Sequence, residues 1–319
     1  MTFNKLIPAL IAAFFILASP ANLHAESELD EALGGFEDEM AEDEMPESSP
    51  ESAMESSVTR KAAEREKPSP LELSGSVALK SSYNYAHKTP PPGRTDYRGL
   101  SRLRSEVNLQ VDLKLSEGWK SVVQGVGFYD FAYSVNGRGD YTDEVLDSNE
   151  VQAELQEVYA RGSLTSNVDL KLGRQIMVWG KSDNIRVTDV LNPLDSREPG
   201  MVDIEDLRLP VTMLRGDYYF GGWSVSAIII PEIRFNKEPA YGGDFYPAPA
   251  APPPEEKPES ASENMEYALA LNGVFSGFDL SFYAARIYND SSHLEPHPTF
   301  GFVRRHAKLT MLGAAGNVA

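Results

Sequence analysis

The chain contains no cysteine. That excludes disulfide scaffolds, iron–sulfur clusters, thiolate zinc sites and cysteine nucleophiles. Basic residues are scarce: 29 Lys and Arg stand against 48 Asp and Glu, a formal charge of −19 over 319 residues. Such a chain is a poor partner for nucleic acid, because phosphate binding needs clustered cations. Histidine is sparse too, at five. His293 and His297 stand four apart, but Pro296 and Pro298 break any helix that would set them on one face. Asp203, Glu205 and Asp206 read as a solvated acidic turn, not a calcium site. No metal and no cofactor are expected. There is no G-x-S-x-G, no C-x-x-C-H, and no evident serine or acidic partner for His306, so no enzyme is expected either. Beyond the first 25 residues no stretch approaches 18 apolar residues, so helices do not carry this chain across a membrane.

The residues that are present begin with a leader. Lys5 supplies a positive start, Leu6 to Ala18 an apolar run, and Leu23-His24-Ala25 a cleavage site ending on a small residue. Residues 1–25 are read as a secretory signal peptide. Residues 26–70 are read as a disordered acidic periplasmic segment. Between 26 and 67 they hold 15 acidic and 4 basic side chains, with Phe36 the one aromatic, too little apolar area to offset ordering entropy. Leu29, Leu33 and Phe36 could share one side of a short helical turn. That leaves two readings of the segment, a docking peptide for a periplasmic partner or a solvated tail.

From Leu71 the hydrophobic period becomes two. Leu71, Leu73, Val77 and Leu79 alternate with Glu72, Ser74, Ser76 and Lys80. Leu103, Val107, Leu109, Val111 and Leu113 alternate with Arg102, Arg104, Glu106, Gln110 and Asp112. A helix would bury charges at this spacing, so these are strands with one apolar and one polar face. Their length exceeds the roughly 5–6 residues of an ordinary strand and suits a tilted membrane-crossing one. Further strands are expected at 119–133, 151–164, 168–180, 211–220, 223–235, 265–275, 278–289 and 304–315, with a phase change and a bulge in the 151–164 strand. The expected fold is all-β: an antiparallel transmembrane barrel over 71–319, with about ten strands present.

Every second connection is tight (116–118, 165–167, 221–222, 276–277) and every other one is long (88–99, 134–150, 181–210, 236–264, 290–303). Outer-membrane barrels alternate in this way. Trp119, Trp223 and Phe278 each follow a tight turn, and Tyr83, Tyr85 and Tyr133 lie near the opposite strand ends, as two aromatic girdles would require.

The third long connection is too apolar for a disordered segment, and a thirty-residue structured loop is commonly functional. It is expected to fold into the lumen as a constriction, the alternative being an external loop held by its own ion pairs. The expected pore-lining or constriction residues are Arg102, Arg104, Glu106, Arg174, Gln175, Trp179, Lys181, Asp183, Arg186, Asp189, Asn192, Asp195, Arg197 and Arg208.

The runs G-R-Q-x-x-x-W-G-x-S-D from Gly173, D-V-x-N-P-x-D from Asp189 and D-L-R-L-P from Asp206 resemble a family of Gram-negative porin-like outer-membrane proteins known only as a domain of unknown function. The resemblance covers about 71–319. It implies an outer-membrane β-barrel that passes small polar or organic solutes, in contact with outer-membrane lipid and the barrel-assembly machinery, with no catalytic residues. The alternative is a non-conducting scaffold whose tail and loops bind envelope partners. Ala319 is not the terminal aromatic on which such barrels usually finish, so further strands are expected beyond it, a ten-stranded barrel being the other possibility. Oligomeric state is not legible.

Overall fold

The computed structural model describes residues 70–180 and 186–318. The expected leader, the acidic segment up to Ser69, and Lys181 and Asp183 lie outside the described residues. The described strands and helices all belong to one compact unit, Arg65–Ala319.

The period-two segments are strands because only a pleated chain puts alternate residues on opposite faces. In order they are β1 (Leu71–Asn84), β2 (Gly99–Ser116) and β3 (Trp119–Asp130), then two short helices, α1 (Ala132–Asn136) and α2 (Asp143–Asn149). Next come β4 (Val151–Thr165), β5 (Val168–Gln175), β6 (Val211–Phe220), β7 (Trp223–Ile230), β8 (Glu255–Glu256), β9 (Glu266–Phe275), β10 (Phe278–Tyr288), β11 (His293–His297), β12 (Gly301–Arg305) and β13 (Lys308–Val318). Ten of them form one sheet in the order β1-β2-β3-β4-β5-β6-β7-β9-β10-β13, and every pairing in it is antiparallel. The all-β reading therefore holds. The sheet is not closed: β1 and β13 are its edges, and they do not pair with each other.

Strand ends differ from expectation where a side chain or a proline takes over the backbone. The third strand stops at Asp130, not 133, because its carboxylate accepts the Leu103 and Ala132 amides (2.9 and 3.1 Å) and starts α1. The fifth stops at Gln175, not 180, because Asn192 and Asp189 accept the Met177 and Trp179 amides (2.8 and 3.4 Å) in place of a neighbouring strand. The seventh stops at Ile230, before Pro231, which has no amide to donate. The expected last strand divides: β12 joins β11 and β8 in a small separate sheet, and β13 begins at Lys308. The expected phase change in β4 is present. Val123 pairs with Val158 and Gly125 with Leu155, so Gln156 and Glu157 oppose Gln124 alone.

The sheet curls. β2 and β13 are eight strand steps apart, about 38 Å if the sheet were flat. Yet the connection 176–210 reaches both: Glu198 pairs with Arg102 of β2 at 2.6 Å, and Thr188, ten residues earlier, packs against Gly313 of β13. The face that this connection covers is the inner face of the sheet. On the outer face Leu73, Val77, Leu79, Leu172, Leu269, Phe282 and Leu312 are exposed.

Candidate functional site

The inner face has two characters. Across β1 to β4 it is charged and polar: Lys80 pairs in register with Arg104, and Arg104 with Asp130, while Glu106 faces Phe128 and Phe128 faces Gln152. Lys80 binds Glu106 at 2.9 Å. Across β6 to β10 it is apolar, formed by Met213, Ile228, Ile230, Ala268, Ala270, Tyr283, Ala285 and Ile287. Trp179 and Leu191 of the third connection pack onto this half, with the Trp179 ring 5.4 Å from that of Tyr283. Apolar burial of this kind stabilises by roughly 25 cal/mol per Å², so this half of the face holds the connection down.

A buried polar clasp gives the connection its shape. Asn192 is fully buried, and its amide donates to the Leu209 carbonyl (2.9 Å) and the Gln175 carbonyl (3.3 Å) while its oxygen accepts the Met177 amide. Asp189 is gripped from two sides, by Arg186 at 2.9 Å and by Arg208 at 2.8 Å, and it accepts the Trp179 amide. Arg186 also donates to the Asn192 carbonyl at 2.8 Å. The Gln175 amide donates to the Met213 carbonyl at 3.2 Å. Such groups cost several kcal/mol each when buried without partners; here they satisfy the backbone of a segment that belongs to no sheet.

The connection is tied to β2 by a second cluster. Glu198 binds Arg102 (2.6 Å) and Arg104 (2.9 Å), and Arg104 lies 4.0 Å over the Phe128 ring. Burial pushes the Glu198 carboxyl up, but the charge of Arg104 and the hydrogen bond from Arg102 outweigh it and hold the group below the usual range. Asp195 is likewise raised by burial and then held low by its contacts with Arg197 (2.5 Å). Arg197 reaches the Ser148 carbonyl and Gln152 Oε1 as well.

A third cluster centres on Glu154 of β4. It accepts from Arg174 (3.1 Å), Lys237 (2.8 Å) and Arg234. Arg174 also reaches Glu232 at 3.4 Å. The cluster forms part of the wall of a basin of about 1620 Å³ among the long connections, with Arg197, Lys237, Phe235, Tyr241 and Arg304 around it. At its rim the buried His306 is stacked on Phe235, ring centroids 3.5 Å apart, with Nε2 at 2.9 Å from Glu255 and Nδ1 at 2.8 Å from the Asn289 carbonyl.

The sequence-predicted residues thus divide. Glu106, Arg174, Asp195 and Arg197 are part-buried and engaged in ion pairs, and Arg197 lines the basin. Arg102, Arg104, Gln175, Trp179, Asp189, Asn192 and Arg208 are buried, and they form the clasp and the β2 tie. Arg186 belongs to the clasp as well, its side chain 17% exposed. Tyr133 is corrected: it is buried against Val145 and Leu146 beneath the loops, not on a girdle. Tyr83 and Tyr85 are exposed. Trp223 and Phe278 meet across Phe275, at 5.2 and 5.0 Å, and Tyr218 stacks on Phe220 at the same strand ends; Trp119 stands in its own strand beside Gly162. His306 does have an acidic partner, Glu255, but its second nitrogen is held by a backbone carbonyl.

Sequence reading missed Glu154, Arg234 and Lys237. Glu154 was legible as a polar-face residue of β4. Arg234 and Lys237 follow Pro231 in a connection without period, and Glu255 and His306 are 51 residues apart, so no pattern marks them.

No curated protein matches the chain. Apart from Arg186, the clasp residues belong to the three motif runs, and the matching family model spans every described residue. The chain belongs to the family described as a protein of unknown function, DUF1302, whose model matches residues 7–318.

Proposed function

We propose that this protein is a porin-like channel of the bacterial outer membrane. It is exported on an N-terminal signal peptide and passes small polar or organic solutes along the inner face of its sheet. The observation that carries this reading is one sheet with two opposite faces. Ten antiparallel strands expose apolar side chains outward and keep charge inward, and the third long connection lies over the inward side. A contiguous exposed apolar surface marks a membrane or partner contact, and lipid demands that both sheet edges find partners. The reading involves no catalysis. The lipid bilayer and the barrel-assembly machinery are its partners.

The test is conductance of the purified full chain in a planar bilayer. Since Asp189 holds two arginines and the Trp179 amide, Asp189→Asn frees the connection and should raise single-channel conductance severalfold. Failure of the wild-type chain to appear in the outer-membrane fraction, or to conduct in either form, sinks the reading.

One observation favours a second reading. The apolar half of the inner face is packed by the connection itself, as in a scaffold that conducts nothing and binds envelope partners through its acidic segment and loops. Deleting residues 26–67 separates the two. Loss of a periplasmic partner in pull-down, with silent bilayers, favours the scaffold.

A further inference from the structure

The strand register brings five cations into one row. Lys114 of β2 pairs with Lys120 of β3, Lys120 with Arg161 of β4, Arg161 with Lys171 of β5, and Lys171 with Arg215 of β6. Directly paired residues of an antiparallel sheet share a face, with Cβ atoms about 4.5–5.5 Å apart. Lys114 alternates in phase with Arg102 and Arg104, so the row lies on the inner face, at the end where the strands turn tightly. The β4 bulge is what aligns it. Without the extra residue, Arg161 would point to the other side.

Like charges set opposite one another repel, so this row works against the sheet that carries it. It is also out of keeping with a chain of net charge −19. Its neutralisation in place is thin. Arg215 binds Asp217 at 2.8 Å, but Asp217 also accepts the Ser226 hydroxyl. Asp169 accepts from Ser163 at 2.6 Å. Lys171 sits 3.7 Å over the Tyr159 ring. Asp112 lies one row further along β2 and takes the Gln110 amide, and Glu157 at the bulge takes the Ile176 amide. Among the described residues, Lys114, Lys120, Arg161 and Lys171 have no ion pair within 4 Å. Lys120, Arg161, Lys171 and Arg215 line a hollow of about 380 Å³.

We propose that this row is a binding site for small multivalent oxyanions, of the di- and tricarboxylate or phosphate class. Long cationic side chains that leave the sheet about 5 Å apart at Cβ can bring their heads to neighbouring charged groups on one such ion. The guanidinium forks of Arg161 and Arg215 suit carboxylate and phosphate oxygens. Apart from Tyr159, little in the row would hold a large apolar tail. As a selectivity element the row rests on the channel reading; as a binding site it does not.

The experiment uses the full chain in detergent micelles, titrated with citrate and with inorganic phosphate by calorimetry. Citrate should bind, and added NaCl should weaken it. The variant carrying Lys120→Gln, Arg161→Gln and Lys171→Gln should bind citrate at least tenfold more weakly, while Lys120→Arg with Lys171→Arg retains it. Arg161→Gln alone, expected to lose severalfold, serves if the triple variant does not fold. Absence of citrate and phosphate binding to the wild-type chain overturns the site, and so does unchanged affinity in the neutralised variants. In bilayers under a potassium citrate gradient, the neutralised variant should lose anion preference. Citrate binding with silent bilayers upholds the site and ends the channel reading. Currents with unchanged reversal potential and unchanged citrate affinity do the reverse.

Discussion

At the scale of single residues, the buried Asn192 and Asp189 of the motif runs act on backbone. Asn192 saturates three main-chain groups, and Asp189 joins two arginines to the Trp179 amide. Their polarity in the sequence points to the wall or constriction of a pore. Burial gives them a part in shaping the connection, because an amide or carboxylate deep in the fold is kept there by the backbone groups it satisfies. Asp290 stands apart. Burial, and then the negative charge of Glu266, push its carboxyl up to about 7, although Arg186 pulls the other way. An unfolded chain has this group ionised above about 4. Between about 4 and 7 the folded protein therefore holds a proton that the unfolded one lacks, and stability rises as pH falls through that window. The melting temperature should be higher at pH 5 than at pH 8 by a few degrees, and Asp290→Asn should shrink the difference. An equal difference in the variant would place the effect elsewhere.

At the scale of elements, the sheet owes its inner row and its covering connection to two local irregularities. One is the β4 bulge. The other is Gly173, with φ of 128°, whose added Cβ would stand 2.2 Å from the Val158 carbonyl oxygen. It is paired on both sides, two residues before β5 ends at Gln175 and leads into the clasp. Gly173→Ala should destabilise the protein by about 1–3 kcal/mol from the backbone conformation alone, read as a lower urea midpoint and faster protease cleavage within 186–208. Unchanged cleavage would show that the exit from β5 tolerates a side chain. Strand existence was legible at this scale because period-two alternation is a property of consecutive residues. Strand ends were less so: Asp130, Asp189 and Asn192 terminate strands through partners that are distant in sequence or hidden by the fold. Only Pro231 announced its break in the sequence.

At the scale of the whole unit, an apolar outer surface surrounds a charged and clasped inner one. Exposed Leu73, Leu79, Phe282 and Leu312 are tolerable only where water is absent or another surface covers them. On dilution below the micelle concentration the chain should self-associate within minutes, as followed by light scattering. A chain that stays dispersed without detergent would speak against a lipid-facing exterior. The curl of the sheet belongs to this scale as well. It is seen in one connection reaching both β2 and β13, through contacts that no period along a strand encodes.

The sequence by itself determined the class of the fold, the alternation of tight and long connections, the bulge in β4 and the importance of the third connection. Each is written in the order of neighbouring residues. Only the tertiary structure decided which polar residues stay open and which are buried. It alone showed that Glu154 gathers Arg174, Arg234 and Lys237, and that five cations from five strands fall into one row. Those facts depend on register and on contacts across the sheet. A shift of one residue in pairing turns every side chain of a strand to its opposite face.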